Sequence, residues 1–77
     1  MEELLGYLAR QLVDDPAQVS VTQREGEDGA LVLELRVAPE DLGKVIGRGG
    51  RIARSLRTVV KASAVRSGRR VHVAIES

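Results

Sequence analysis

Four glycines and five basic residues fall within the fifteen positions GKVIGRGGRIARSLR, Gly43 to Arg57, and no acid is among them. The chemistry such a stretch offers is anion capture. Gly47, Gly49 and Gly50 carry no Cβ, so a sugar-phosphate backbone can approach the main chain closely, and glycine adopts positive φ there without steric penalty. Backbone N–H groups at the start of the following helix favour negative charge. Lys44, Arg48, Arg51 and Arg54 bracket the turn with cations. A phosphate is the natural guest, held by Gly47, Arg48, Gly49 and Gly50.

Two nucleotide-binding alternatives fail on spacing. A Walker-type loop ends in Gly-Lys followed by Ser or Thr after a strand, whereas Arg51 and Ile52 follow Gly50 here and a helix precedes the turn. A dinucleotide fingerprint needs a strand before the glycines and an acid about twenty residues on. Arg70 stands at that position.

Other chemistries find few residues to work with. His72, the only histidine, alternates with Val71 and Val73 and reads as a solvent-facing strand residue with no partner set, so no catalytic residue is expected. Asp14 with Asp15, and Glu25 with Glu27 and Asp28, occupy turns where acids serve solubility, so no metal and no cofactor is expected. The chain has no cysteine, which removes disulfides and thiolate chemistry and suits a reducing cytoplasm. The start, MEELLGYLAR, lacks a signal peptide's basic and apolar regions. No run approaches the roughly 18 apolar residues of a membrane span. The expectation is a cytoplasmic protein with no membrane contact. With 77 residues, a chain that buries only about 60% of its unfolded surface has little room for a small-molecule substrate pocket.

The net charge of +1 conceals a segregation. Nine basic residues, Lys44, Arg48, Arg51, Arg54, Arg57, Lys61, Arg66, Arg69 and Arg70, lie between Gly43 and Ile75, where there is no acid. The remaining three share the rest of the chain with all eleven acids. One part is cationic enough to attract a polyanion.

The elements that must position the glycine turn follow from periodicity. EELLGYLARQLVDDP spaces Leu4, Leu5, Leu8 and Leu12 as a helix stopped by Pro16. QVSVTQRE and ALVLELRVA alternate about the turn GEDG as a hairpin, with Leu31, Leu33, Leu35 and Val37 on one face. Pro39 opens a short helix, PEDLGKVI, with Glu40 and Asp41 at its positive end. Past the glycines, a helix closed by Gly68 puts Ile52, Leu56, Val59, Val60 and Ser63 on one stripe. RRVHVAIES ends the chain as a strand. The reading is one α+β domain over 1-77, ordered α-β-β-α-α-β, with a three-stranded mixed sheet packed on one face by three helices. Tyr7 is the only aromatic residue, so no stacking platform for bases is available.

The run VIGRGGRI within this element order closely resembles the GxxG signature of KH domains of the bacterial type II arrangement. The whole chain resembles the small stand-alone bacterial KH proteins of the KhpA type. The resemblance implies a type II KH fold whose GxxG loop, Gly47, Arg48, Gly49 and Gly50, clamps about four nucleotides of backbone. It makes Ile46 the apolar residue before that loop, beside an aliphatic groove for bases. One departure is Ala53, where many KH domains carry a large aliphatic residue, with Ile52 one step earlier. The implied function is single-stranded RNA binding as an RNA chaperone or global RNA binder, with Lys44, Ile46, Gly47, Arg48, Gly49, Gly50, Arg51 and Arg54 in contact. The implied partners are a second copy, as a homodimer, or a larger multi-domain bacterial KH protein. A rival reading is a protein-interaction or dimerisation subunit of a larger RNA-binding complex with little RNA affinity of its own.

Overall fold

The computed structural model describes all residues, Met1–Ser77. Alternating aliphatic residues form the hairpin expected of them. Strand β1, Ser20–Glu25, pairs antiparallel with β2, Leu31–Arg36, in a register that sets Val21 opposite Leu35 and Gln23 opposite Leu33. The Gly26 and Gly29 amides close the turn, and Asp28 Oδ1 accepts from the Ala30 amide at 3.0 Å.

Strand β3, Val71–Glu76, runs parallel to β2 with Val73 opposite Leu33, giving the order β1-β2-β3. A parallel neighbour cannot be reached by a tight turn. The crossover is made by helices α2, Leu42–Ile46, and α3, Arg51–Arg66, while α1, Glu2–Leu12, packs beside them. The order of major elements is the one read from the sequence. Leu31, Leu33 and Leu35 of β2 and Val71 and Val73 of β3 meet Leu5, Ala9, Val45, Leu56, Val60 and Ala64 from the helices in one aliphatic core. The other sheet face is polar: Arg24 meets Glu34 at 3.4 Å and Arg36 meets Glu76 at 3.1 Å.

Two sequence expectations are corrected. The buried stripe of α3 is Ala53, Leu56, Val60 and Ala64, while Val59 is 44% exposed and Ile52 and Ser63 sit at the margin. Small residues let the helix lie close to β3, and that closeness outweighs the larger hydrophobicity of Val59. The first helix ends at Leu12, with Val13 already extended, and Pro16 opens a short 3₁₀ turn. Past the helix end, Asp14 and the Asp15 amide find partners elsewhere in the chain.

Those partners are on the approach to α2. Asp41 is 2% exposed, and its Oδ2 accepts from the Asp15 amide at 3.0 Å. Lys44 Nζ is bonded to Asp14 and lies 3.3 Å from Asp41 Oδ1. A buried carboxylate is tolerable only when its oxygens are satisfied. Burial pushes the Asp41 carboxyl upward, but the amides of Asp15 and Asp14 and the Lys44 ammonium outweigh it and hold the group below its ordinary value.

A carboxyl depressed in the folded state contributes stability above its unfolded pKa and loses it as pH falls through the folded one. Asp41→Asn is therefore expected to lower Tm at neutral pH. The gap from wild type should close as pH drops below the ordinary aspartate value of 3.8. Thermal melts followed by circular dichroism across that range check this, and a gap independent of pH contradicts it.

Candidate nucleic-acid interface

Between α2 and α3 the chain reverses over Gly47–Gly50, and three of the four residues have positive φ. Gly47 sits at φ 75, ψ 171, a region essentially reserved for glycine, while Gly49 at φ 65, ψ 17 and Gly50 at φ 78, ψ 14 are left-handed. The Gly47 amide donates to Gly43 O at 2.9 Å and the Gly50 amide to Gly47 O at 3.1 Å. The Arg48 and Gly49 amides have no acceptor among the turn and cap bonds, and no side chain caps the start of α3.

The glycines fall into two kinds. A Cβ on Gly47 would lie 2.6 Å from Ile52 Cγ1 and 2.9 Å from Ile52 Cβ, so this position is required by packing. At Gly49 and Gly50 a Cβ would meet nothing within 4 Å. The space over these two is open. It leaves room for a backbone to settle against the main chain.

Arg48, Arg51 and Arg54 are exposed around the turn, and none has an acidic partner. Lys44 is placed differently. The hydrogen bond from its ammonium to Asp14, against the opposing effect of desolvation and with the help of Asp41, raises its pKa above the ordinary lysine value. Its charge is already met within the chain. Ile46 is half-buried at the end of α2. The apolar groove that adjoins the turn, about 370 Å³, is carried by α1 and α3: Leu8, Leu12, Ile52, Leu56 and Val59, with Arg51 at its rim. Ala53 is buried, while Ile52 both covers Gly47 and lines this groove.

The charge map sharpens the segregation seen in the sequence. Arg24, Arg36, Lys44 and Arg70 are ion-paired, whereas Arg48, Arg51, Arg54, Arg57, Lys61, Arg66 and Arg69 are not. Arg57 lies outside the set of contacts expected from the sequence, and its Nε donates to Val73 O on the outer edge of β3 at 3.3 Å. Its spacing of three from Arg54 was the available signal. His72 Nε2 stands 3.5 Å from Asp28 Oδ2, beside the Arg70 guanidinium at 3.4 Å. The Ala30 amide, against a weaker effect of burial, and then His72 and Arg70 lower the pKa of Asp28. That histidine belongs to a surface ion cluster at the hairpin turn.

A family model described as KhpA/KhpB, KH domain, matches residues 2–75. The RNA-binding protein KhpA of Clostridium acetobutylicum is 53% identical over 75 residues, covering 97% of this chain and 99% of that protein. KhpA of Treponema pallidum is 62% identical over 63 residues, 82% of this chain and 78% of that one. Among solved structures, a variant of Aquifex aeolicus Era bound to GDP and aluminium fluoride superposes with a TM-score of 0.67 at 20% identity, over 97% of this chain and 29% of Era. A complex of Era with MgGDPNP and a segment of 16S ribosomal RNA gives 0.66 at 22% identity, over 97% and 28%. The fold is shared with less than a third of Era.

The division among the glycines is testable. Gly47→Ala meets backbone strain and the Ile52 side chain together and is expected to cost about 3 kcal/mol. Gly49→Ala meets only the left-handed penalty, about 1 kcal/mol. At roughly 4–8 °C per kcal/mol for a domain of this size, Gly47→Ala should melt at least 10 °C below wild type and Gly49→Ala about 5 °C below. Equal losses would show that Ile52 does not constrain the turn.

Proposed function

This chain belongs to the KhpA/KhpB family of KH domains, and we propose that it binds single-stranded RNA, gripping the sugar-phosphate backbone at Gly47, Arg48, Gly49 and Gly50. One observation carries the reading: the space above Gly49 and Gly50 is open, next to two amides without acceptors and three arginines without acids. Arg48, Arg51 and Arg54 add electrostatic attraction, and Lys44 and Ile46 flank the grip. The relatives named RNA-binding protein support it. The polar sheet face, lined by Ser20, Thr22, Glu34, Arg36 and Glu76, offers bases nothing to stack on. The backbone is therefore the principal contact, with weak base preference, as suits an RNA chaperone or global RNA binder.

In this reading residues 1–77 act as one KH domain in the cytoplasm, by binding rather than catalysis and without a cofactor. The groove formed by Leu8, Leu12, Ile52, Leu56 and Val59 supports a second contact, with another copy or a larger bacterial KH protein.

Fluorescence anisotropy with short single-stranded RNA tests the reading directly. Arg48→Asp with Gly49→Asp should abolish binding while circular dichroism stays that of the wild type. Four neutralised phosphates predict a log-log salt slope near −3, at roughly −0.7 for each phosphate. Lys44→Ala should weaken binding less than Arg48→Ala, because two carboxylates already share its charge. Undiminished binding by the folded double variant would reduce the turn to a corner between helices. RNA hydrolysis lost in His72→Ala would move the protein among enzymes.

A further inference from the structure

At the far end of α3 from the glycine turn, a depression of about 260 Å³ is lined by Lys61, Val65, Arg69, Arg70, Val71 and His72 among others. We infer that it is a second RNA contact, which receives phosphates and a base of the same strand after it leaves the glycine turn along the basic flank of α3; this rests on the backbone grip proposed above.

Three features of the depression fit a nucleotide. Val65 is 77% exposed, the most open large hydrophobic side chain of the protein, and with Val71 it forms an apolar floor of the kind a base covers. Lys61 and Arg69 stand at the same place with no acid paired to either. Arg70 and His72 share Asp28 instead, which ties them to the hairpin turn and leaves Lys61 and Arg69 as the free cations. The floor and the cations are thus adjacent but distinct, as a base and its phosphate are.

The path to this depression is written on the helix. Arg54, Arg57, Lys61 and Val65 follow one another at spacings of three and four, so they share one flank of α3. The bond from Arg57 to Val73 O fixes that flank as the one beside the outer edge of β3. Helix α3 has sixteen residues, about 24 Å at 1.5 Å per residue, and Lys61 is about 15 Å along the axis from Arg51. A clamp of about four nucleotides at the glycine turn uses only the first part of that length. From Arg48 to Arg69 no acid interrupts the flank. A longer strand therefore meets continuous positive potential up to the depression.

The test is a length series of single-stranded RNA, from tetranucleotide to dodecanucleotide, with wild type and Lys61→Gln plus Arg69→Gln. Both side chains are exposed, and circular dichroism verifies the fold. Wild type should bind the dodecanucleotide more tightly than the site-number statistics of a longer strand account for. The variant should match wild type on the tetranucleotide. On the dodecanucleotide it should bind about 20-fold more weakly at 0.1 M salt, with a slope shallower by about 1.4, as expected for two phosphates at roughly 0.7 each. Val65→Ser should weaken the dodecanucleotide alone without changing the slope. Equal weakening at both lengths, or none at either, overturns the second contact. Loss of all binding in the glycine-turn double variant, with the length effect of Lys61 and Arg69 absent in wild type, overturns the extension while leaving the grip in place. Failure of wild type to bind RNA of any length overturns both.

Discussion

Everything functional in this fold depends on one contact: Ile52 lying over Gly47. The chain must turn between α2 and α3 within four residues, and it does so by placing Gly47 in a backbone region closed to side chains and covering it with the first aliphatic residue of α3. With the reversal secured there, Gly49 and Gly50 need nothing above them. No side chain caps the start of α3, and the Arg48 and Gly49 amides stay without acceptors in the turn. The stability of the turn and its openness have separate owners. That separation is what allows a site to consist of empty space.

The second organising feature is where the acids go. Asp14 and Asp41 meet Lys44, Glu34 meets Arg24, Glu76 meets Arg36, and Asp28 meets Arg70. These pairs lie on the open sheet face, at the hairpin turn and between α1 and α2. Apart from the one that holds the buried Asp41, these pairs are exposed and contribute little to stability. Their effect is on the field: they neutralise Arg24, Arg36, Lys44 and Arg70 and leave the cations along α3 unopposed, so a protein of net charge +1 presents a strongly cationic flank.

The order of elements was legible because alternation and helical spacing are local signals, and the glycine turn because three glycines among cations have few other uses. What escaped was set by contacts distant in sequence. Asp41 read as an ordinary acid at a helix start, and its burial depends on the Asp15 amide, 26 residues away. Lys44 read as one of the cations that bracket the glycine turn, and its ion pair with Asp14, 30 residues back, carries no local signal. The α3 stripe was misplaced by about one position because hydrophobicity ranks Val59 above Ala53 and Ala64, while close approach to β3 ranks them the other way. Ile52 was legible as apolar, but its place over Gly47 follows from backbone geometry that composition does not encode.

Helix α3 thereby has three distinct sides. Ala53, Leu56, Val60 and Ala64 face the core, Arg54, Arg57 and Lys61 run beside β3, and Ile52, Ser55 and Val59 face the groove shared with α1. At 100° per residue these sets do not overlap, so a strand along the basic flank and a partner in the groove occupy different surfaces of one rigid element. A four-nucleotide grip with little base recognition is weak by itself. Joining it to a second contact on the same strand, or to a second RNA-binding domain through a partner, makes the further binding intramolecular and raises overall affinity without any change at the glycine turn. A helix with one buried side has two left over, and this chain makes one of them basic and the other apolar.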